Sequence, residues 1–336
     1  MRQVWITKKG GPEVLQVREA KDPEVGPGEV RVRVRAAGVN FADTMARLGL
    51  YDAAPQPPCV VGYEVSGVID AVGTGVPAQR VGEKVVALTR FGGYSDVVCV
   101  PAERALVFPA RLSFAQAAAL PVQWLTAWHM LVELGNVRKG HTVLVQAAAG
   151  GVGTAVLQIC KRIGAKVIGT ASPGKHARLR ELGIDHAIDY RDFDKTVLQI
   201  TNGRGVEVAL DAVAGSSFKR SYRSLAPAGK LIMFGASAVT PGTSLNVFSA
   251  LGTVIGMPVF FPIPMMRTNK GVLGVNLGGL WEETALLLGE LREVFRGVEE
   301  GAFTPLVDLE VPFAEAPRAH ARLGERGNVG KVVLVP

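Results

Sequence analysis

The segment Glu29 to Ala36 (EVRVRVRA) alternates apolar and charged residues, the period-two pattern of a strand with one buried face. Lys84 to Leu88 and Tyr94 to Val100 are further short apolar segments, separated by Gly and Pro. The first third therefore predicts an antiparallel, barrel-like β domain. From about Ser113 the sequence turns Ala-rich and helical, and after Gly140 it alternates strand with helix. Strands are predicted at Thr142 to Gln146, Lys166 to Thr170, His186 to Asp189, Val206 to Asp211, Lys230 to Phe234 and Val272 to Val275. Such a series suits a doubly wound parallel sheet. A helix over Trp281 to Glu299 and a last strand, Lys331 to Val335, then return the chain to the first domain. The expected class is α/β, with a discontinuous β domain (1–120 and 278–336) around a nucleotide-binding domain (121–277).

Val254 to Met266 (VIGMPVFFPIPMM) is the most apolar stretch. Its three prolines argue against a helix, and it is too short to span a bilayer. A buried or substrate-facing loop is expected, with peripheral membrane contact the lesser reading. The N-terminus lacks a signal or transit pattern, so a cytoplasmic location is expected. The three Cys are widely separated, which suggests reduced thiols rather than a disulfide framework. The net charge of +7 is dispersed, with no basic run or stacked aromatic motif, and this argues against nucleic acid as partner. A phosphorylated small molecule needs only a few of those charges.

His141 to Gly164 reads as an apolar strand, a small-residue turn and an amphipathic helix. In the G-x-G-x-x-G register the three positions are Ala148, Gly150 and Gly153. Gly150 lets the backbone approach a pyrophosphate and Gly153 lets helix and strand pack closely. The turn Ala149, Gly150, Gly151, Val152 and Gly153 is thus the candidate phosphate cradle, with helix N–H groups aimed at the anion. An NAD site usually ends the second strand with an acid, and none is present here. Thr170, Ser172 and Lys175 instead offer hydroxyls and a cation to a 2′-phosphate, and Tyr190 adds a donor, so NADPH is the expected cofactor. The plainer reading of Lys175 is a solvated lysine at a helix start.

The stretches AAGVNFADTMARLGLY (Ala36 to Tyr51), VGYEVSGVIDAVG (Val61 to Gly73) and AAAGGVG (Ala147 to Gly153) together resemble the quinone oxidoreductase family of medium-chain dehydrogenases. GTASPGKH (Gly169 to His176), IDY (Ile188 to Tyr190) and NVGKVVLVP (Asn328 to Pro336) resemble its vesicle amine transport protein branch. The resemblance implies a GroES-like β-barrel catalytic domain built from both chain ends, a central Rossmann domain and a homodimer. It assigns Asn40, Asp43 and Tyr51 to the nicotinamide end of the site. It also implies cofactor contacts from Thr126, from Phe234, Gly235 and Ala236, from Val275, Asn276 and Leu277, and from Arg326 and Asn328. For Asp43 a capping role in the following helix is an equal alternative.

Zinc alcohol dehydrogenases of that superfamily carry a Cys after A-G-V and a His within G-H-E, where this chain has Asn40 and Tyr63. Both changes remove zinc ligands, and metal independence is expected. Without a Lewis acid the acceptor must take hydride readily, as a quinone or an enone does. The expectation is NADPH-dependent reduction of a small-molecule quinone or α,β-unsaturated carbonyl. The alternatives are an enoyl-thioester reductase and a non-catalytic, nucleotide-binding or membrane-associated protein.

Overall fold

A computed structural model of the chain describes residues 1–240, 242–244 and 247–336. It divides into two compact units: Met1–Leu125 with Gly242–Leu245 and Gly278–Pro336, and Thr126–Pro241 with Asn246–Leu277.

The first unit carries strands β1 (Arg2–Ile6), β2 (Leu15–Glu19), β3 (Glu29–Val39), β4 (Glu64–Val72), β5 (Lys84–Leu88), β6 (Val97–Pro101) and β7 (Ala105–Val107). Strand β3 shows why the alternating pattern folds as it does. Val30, Val32 and Val34 are buried, while Arg31 and Arg33 project outward and both pair with Asp70 of β4. From Ala36 to Val39 the strand is buried at every position, and the polar alternation stops accordingly. It pairs antiparallel with β4 and β6, and β4 pairs with β5. The C-terminal strand, which lies in the same sheet, pairs antiparallel with β3 through Val332 opposite Val39. Strands from the N-terminal third and from the C-terminal end therefore build one sheet, while β1 and β2 pair in a separate one.

The second unit carries β8 (Thr142–Val145), β9 (Lys166–Thr170), β10 (His186–Ile188), β11 (Val206–Asp211), β12 (Leu225–Met233) and β13 (Gly271–Gly274). Their order, β10-β9-β8-β11-β12-β13, and uniformly parallel pairing are those of a doubly wound dinucleotide fold. The apolar runs predicted for buried parallel strands are indeed buried: Val143, Leu144, Val145, Ala209 and Leu210 are each fully inaccessible. The remaining strands, β14 (Val307–Pro312) and β15 (Lys331–Val335), belong to the first unit.

Two expectations are corrected. Val254 to Met266 is not free of helix: a helix over Val247–Ile255 ends inside it and another spans Pro262–Thr268. Pro262 and Pro264 fall in the first turn of the latter, where the backbone N–H has no intrahelical partner to lose. The stretch is also not buried, since Val254, Ile255, Val259, Phe261, Ile263 and Met266 are all exposed. Among the described residues no helix is long and apolar enough to cross a membrane.

Candidate active site

In the second unit the candidate nucleotide residues gather at the carboxyl ends of the parallel strands, where such sheets bind ligands. The turn after β8 is tight because Ala147 takes a positive φ of 56°. The positive angle thus falls one residue before Ala148, the residue the motif register puts first. Gly150 caps the helix Gly151–Ile163 in extended conformation. A Cβ at Gly150 would meet only the Ala147 carbonyl within 4 Å, so the space above the turn is open to a ligand. At Gly153 a Cβ would overlap the Ala148 carbonyl, which is why this helix position must be glycine.

Thr170 has a different task from the one expected of it. Its buried hydroxyl donates to Gln146 Oε1 (2.7 Å) and accepts the Ala147 N–H (3.2 Å), so it braces the turn instead of reaching a phosphate. Gln146 Nε2 continues the chain to Ser221 Oγ, and the Ser217 and Ser221 hydroxyls donate to Asp211 at 2.7 and 2.6 Å. Asp211 is buried, and desolvation raises its pKa above the usual carboxylate value. Ser172 is exposed, Lys175 is half-buried and Tyr190 is 55% exposed. No acid ends β9. Phe234, Gly235 and Ala236 leave β12 half-buried, with the Phe234 N–H held by the Asp211 carbonyl. Val275 leaves β13 on the Met233 carbonyl, followed by exposed Asn276 and buried Leu277. Thr126, at the start of this unit, is buried.

In the first unit, Asn40 follows β3 directly and caps the helix α1 (Phe41–Leu48). Its side chain lies in a buried polar group that the sequence did not reveal. Asn40 Nδ2 donates to Glu64 Oε1 at 2.9 Å, and Lys331 Nζ donates to Asn40 Oδ1 at 2.6 Å and also to Glu64. The Val122 N–H donates to Glu64 Oε2 at 2.6 Å. Glu64 and Lys331 are fully buried and Asn40 is 6% exposed.

Asp43 is likewise fully buried, which removes it from direct contact with a substrate. It is the third residue of α1, and it caps that helix from there, in a capping box with Asn40 at the N-cap position. Its carboxylate accepts the Asn40 N–H (2.8 Å), the Gly62 N–H (3.2 Å) and the Tyr94 hydroxyl (2.9 Å). It therefore ties the β3–α1 junction to the entry of β4. Burial pushes its pKa up to about 7. Beyond Tyr94 lies His320, whose Nε2 is 3.3 Å from the Tyr94 hydroxyl. Burial, together with the Arg47 charge, pushes His320 down to about 3. The Tyr94 hydroxyl donates to Asp43, and the part His320 Nε2 plays toward Tyr94 is set by the tautomer of the neutral ring.

Tyr51 is half-buried and stands edge-on to Tyr63, with ring centroids 6.4 Å apart. Tyr63 also packs against Phe91 at 5.2 Å and Trp281 at 6.4 Å. Burial, then the charge of Asp43 and the neighbouring Tyr51, raise the Tyr63 phenol far above its ordinary pKa. Arg326 is exposed at a positive φ of 54°, and Asn328 Nδ2 donates to the Gly330 carbonyl at 2.8 Å.

Residues 26–110 match the alcohol dehydrogenase GroES-like domain, and residues 182–334 match the family described as zinc-binding dehydrogenase. The chain is 39% identical to a synaptic vesicle membrane protein VAT-1 homolog of Danio rerio, over 99% of this chain and 69% of that protein. It is 35% identical to a quinone oxidoreductase of Pseudomonas aeruginosa, over 100% of this chain and 99% of the relative. The solved structure of Escherichia coli quinone oxidoreductase complexed with NADPH superimposes with a TM-score of 0.87 at 31% identity, covering 100% of both chains. The chain belongs to the quinone oxidoreductase family of the medium-chain dehydrogenase/reductase superfamily, near its vesicle amine transport branch. In spite of the zinc-binding label, Asn40 and Tyr63 are engaged as described, and no group of three or more His, Cys, Asp or Glu among the described residues could hold a metal.

Proposed function

We propose that the protein is a zinc-independent, NADPH-dependent oxidoreductase that reduces quinones or α,β-unsaturated carbonyls. The observation that carries this reading is the donor set: an intact nucleotide turn at Gly150–Gly153 accompanies Asn40 and Tyr63 at the two positions where zinc relatives place ligands. The nucleotide, when bound, supplies hydride. The backbone of Gly150 to Gly153 would hold its pyrophosphate, and Ser172 and Lys175, with Tyr190 near, its 2′-phosphate. Thr126, Phe234 to Ala236, Val275 to Leu277, Arg326 and Asn328 are the remaining candidate cofactor contacts. Asn40 would supply a hydrogen-bond donor to a carbonyl oxygen, and Tyr51 a hydroxyl to the acceptor. Asp43 would act through Asn40 and Gly62.

The test is NADPH oxidation against a panel of quinones and enones, on wild type and Tyr51→Phe. Wild type is expected to turn over at least one class. Tyr51→Phe should lose roughly tenfold or more in turnover with enones while binding NADPH almost normally. A wild type inert toward the whole panel would leave the nucleotide-binding, non-catalytic reading.

The same reading includes a homodimer. Strand β13 ends its sheet, pairing only with β12 among the described strands, and the exposed apolar stretch Val254 to Met266 precedes it. Such an edge invites a second copy. Light scattering should report twice the 35.5 kDa chain mass at micromolar concentration, and a monomer would reject the interface.

A further inference from the structure

The Asn40, Glu64 and Lys331 side chains meet because the sheet registers require it. Val332 of β15 lies opposite Val39 of β3, so the residues just outside the pair, Lys331 and Asn40, face each other. Ala37 lies opposite Val65, which brings Glu64 across from Gly38. A Cβ at Gly38 would overlap the Glu64 carboxylate, so glycine is what makes room for it. Three consequences of the sequence thus place a cation, an anion and an amide together with almost no solvent contact.

Burying a lysine and a glutamate is costly, and the attraction between them seldom does more than offset that cost. The arrangement asks for a purpose beyond stability, and the hydrogen-bond accounting supplies one. The Asn40 side chain has one carbonyl oxygen and two N–H donors. Lys331 donates to the oxygen and Glu64 accepts one N–H, so the amide plane is held from both ends and cannot flip without losing two charge-assisted bonds. Drawing electron density toward the oxygen also makes the nitrogen a stronger donor. The second N–H then has one fixed direction.

We propose that Lys331 and Glu64 are positioning residues for Asn40: they hold and polarise its amide so that it presents a preorganised donor to a carbonyl oxygen. This rests on the reading of Asn40 as part of the active site given above. The oxygen belongs either to the hydride acceptor or to the carboxamide of the cofactor. A donor fixed in advance is worth more to a developing charge than one that must first be ordered.

The test needs a variant without an unpaired buried charge, because removing one partner alone leaves the other stranded and risks unfolding. The double variant Glu64→Gln/Lys331→Met removes both charges at once and is compared with Asn40→Ala and the triple variant. Circular dichroism and a cooperative urea unfolding transition first establish that each is folded, and fluorescence titration then gives its NADPH dissociation constant. Asn40→Ala is expected to lose roughly a hundredfold in kcat/KM and the double variant roughly tenfold or more. The triple variant should be no worse than Asn40→Ala, since the pair acts only through that amide. If the acceptor supplies the oxygen, kcat/KM falls with the NADPH dissociation constant unchanged. If the carboxamide supplies it, NADPH binding weakens in the same proportion. Multiplying losses in the triple variant, or a double variant as active as wild type, would overturn the proposal. A readout independent of turnover is the Asn40 side-chain amide in ¹⁵N spectra. Its protons should be protected from exchange with water in wild type and exchange faster in the double variant. That result would stand even if no acceptor were reduced, and an amide equally ordered in both proteins would sink the proposal.

Discussion

Lys175→Ala is expected to weaken NADPH binding by roughly 10- to 150-fold and to leave NADH binding nearly unchanged. A hydrogen bond to a charged group contributes about 1.5–3 kcal/mol, which is that range of affinity. The site for it is the end of β9, where Thr170, Ala171 and Ser172 lead into the short turn Pro173–Lys175. The turn is fixed by the Lys175 N–H on the Ser172 carbonyl (2.9 Å) and by the His176 ring on the Ala171 carbonyl (3.0 Å). Thr170 is occupied by Gln146, and Ser172 and Lys175 are the side chains proposed to meet a 2′-phosphate at the strand end. NADH carries a hydroxyl there and lacks the charge that Lys175 would meet. Dissociation constants for both nucleotides, on wild type and variant at fixed low salt, decide the matter because the contact is ionic. Equal weakening of both nucleotides would make Lys175 a surface lysine and withdraw the 2′-phosphate assignment.

Most of the fold was legible because it rests on periodicity. The strict alternation in β3 and the unbroken apolar strands β8 and β11 each announce how many faces are buried. The predicted bounds of β5, β9, β11 and β15 agree with the structure to the residue. The proline-rich stretch was misread because a proline count ignores position. Pro262 opens a helix, and the same residue in mid-helix would have broken it.

The candidate site was legible only where a local motif encodes it. The Gly150–Gly153 turn needs nothing beyond its own neighbours in sequence. Glu64 and Lys331 are 267 residues apart, and each opens an apolar strand, where a charge ordinarily marks the solvated end. Only the pairing of β3 with β15 on one side and β4 on the other reveals that these two charges are buried together. Thr170 shows the converse. Its type and place suit a phosphate ligand, and the chain of Gln146, Ser221 and Asp211 that claims it is assembled from three separate strands and helices.

The Asp43, Tyr94 and His320 group leads to the second large prediction, in which two single substitutions tilt the pH dependence of stability in opposite directions. Asp43 rises from 3.8 to about 7 on folding, so between those values the native state holds a proton that the unfolded chain has released. Its contribution is therefore present below about pH 4 and is lost as the pH rises toward 7. His320 falls from 6.5 to about 3, so in that window the unfolded chain binds a proton that the native state refuses. Its contribution is present above about 6.5 and is lost as the pH falls. Each group alone gives a slope of about 1.4 kcal/mol per pH unit. In the wild type the two slopes oppose each other between about pH 4 and 6.5. Asp43→Asn leaves the His320 slope, so its stability relative to wild type should improve with rising pH across that interval. His320→Gln leaves the Asp43 slope, and its relative stability should worsen over the same interval. Referring each variant to wild type cancels the other titrating groups, including Arg47, Glu64 and Lys331, which face this pair. Urea unfolding followed by tryptophan fluorescence at half-unit steps from pH 4 to 7 measures both differences. Parallel curves for the two variants, or flat ones, would show that neither group crosses its unfolded-state titration on folding.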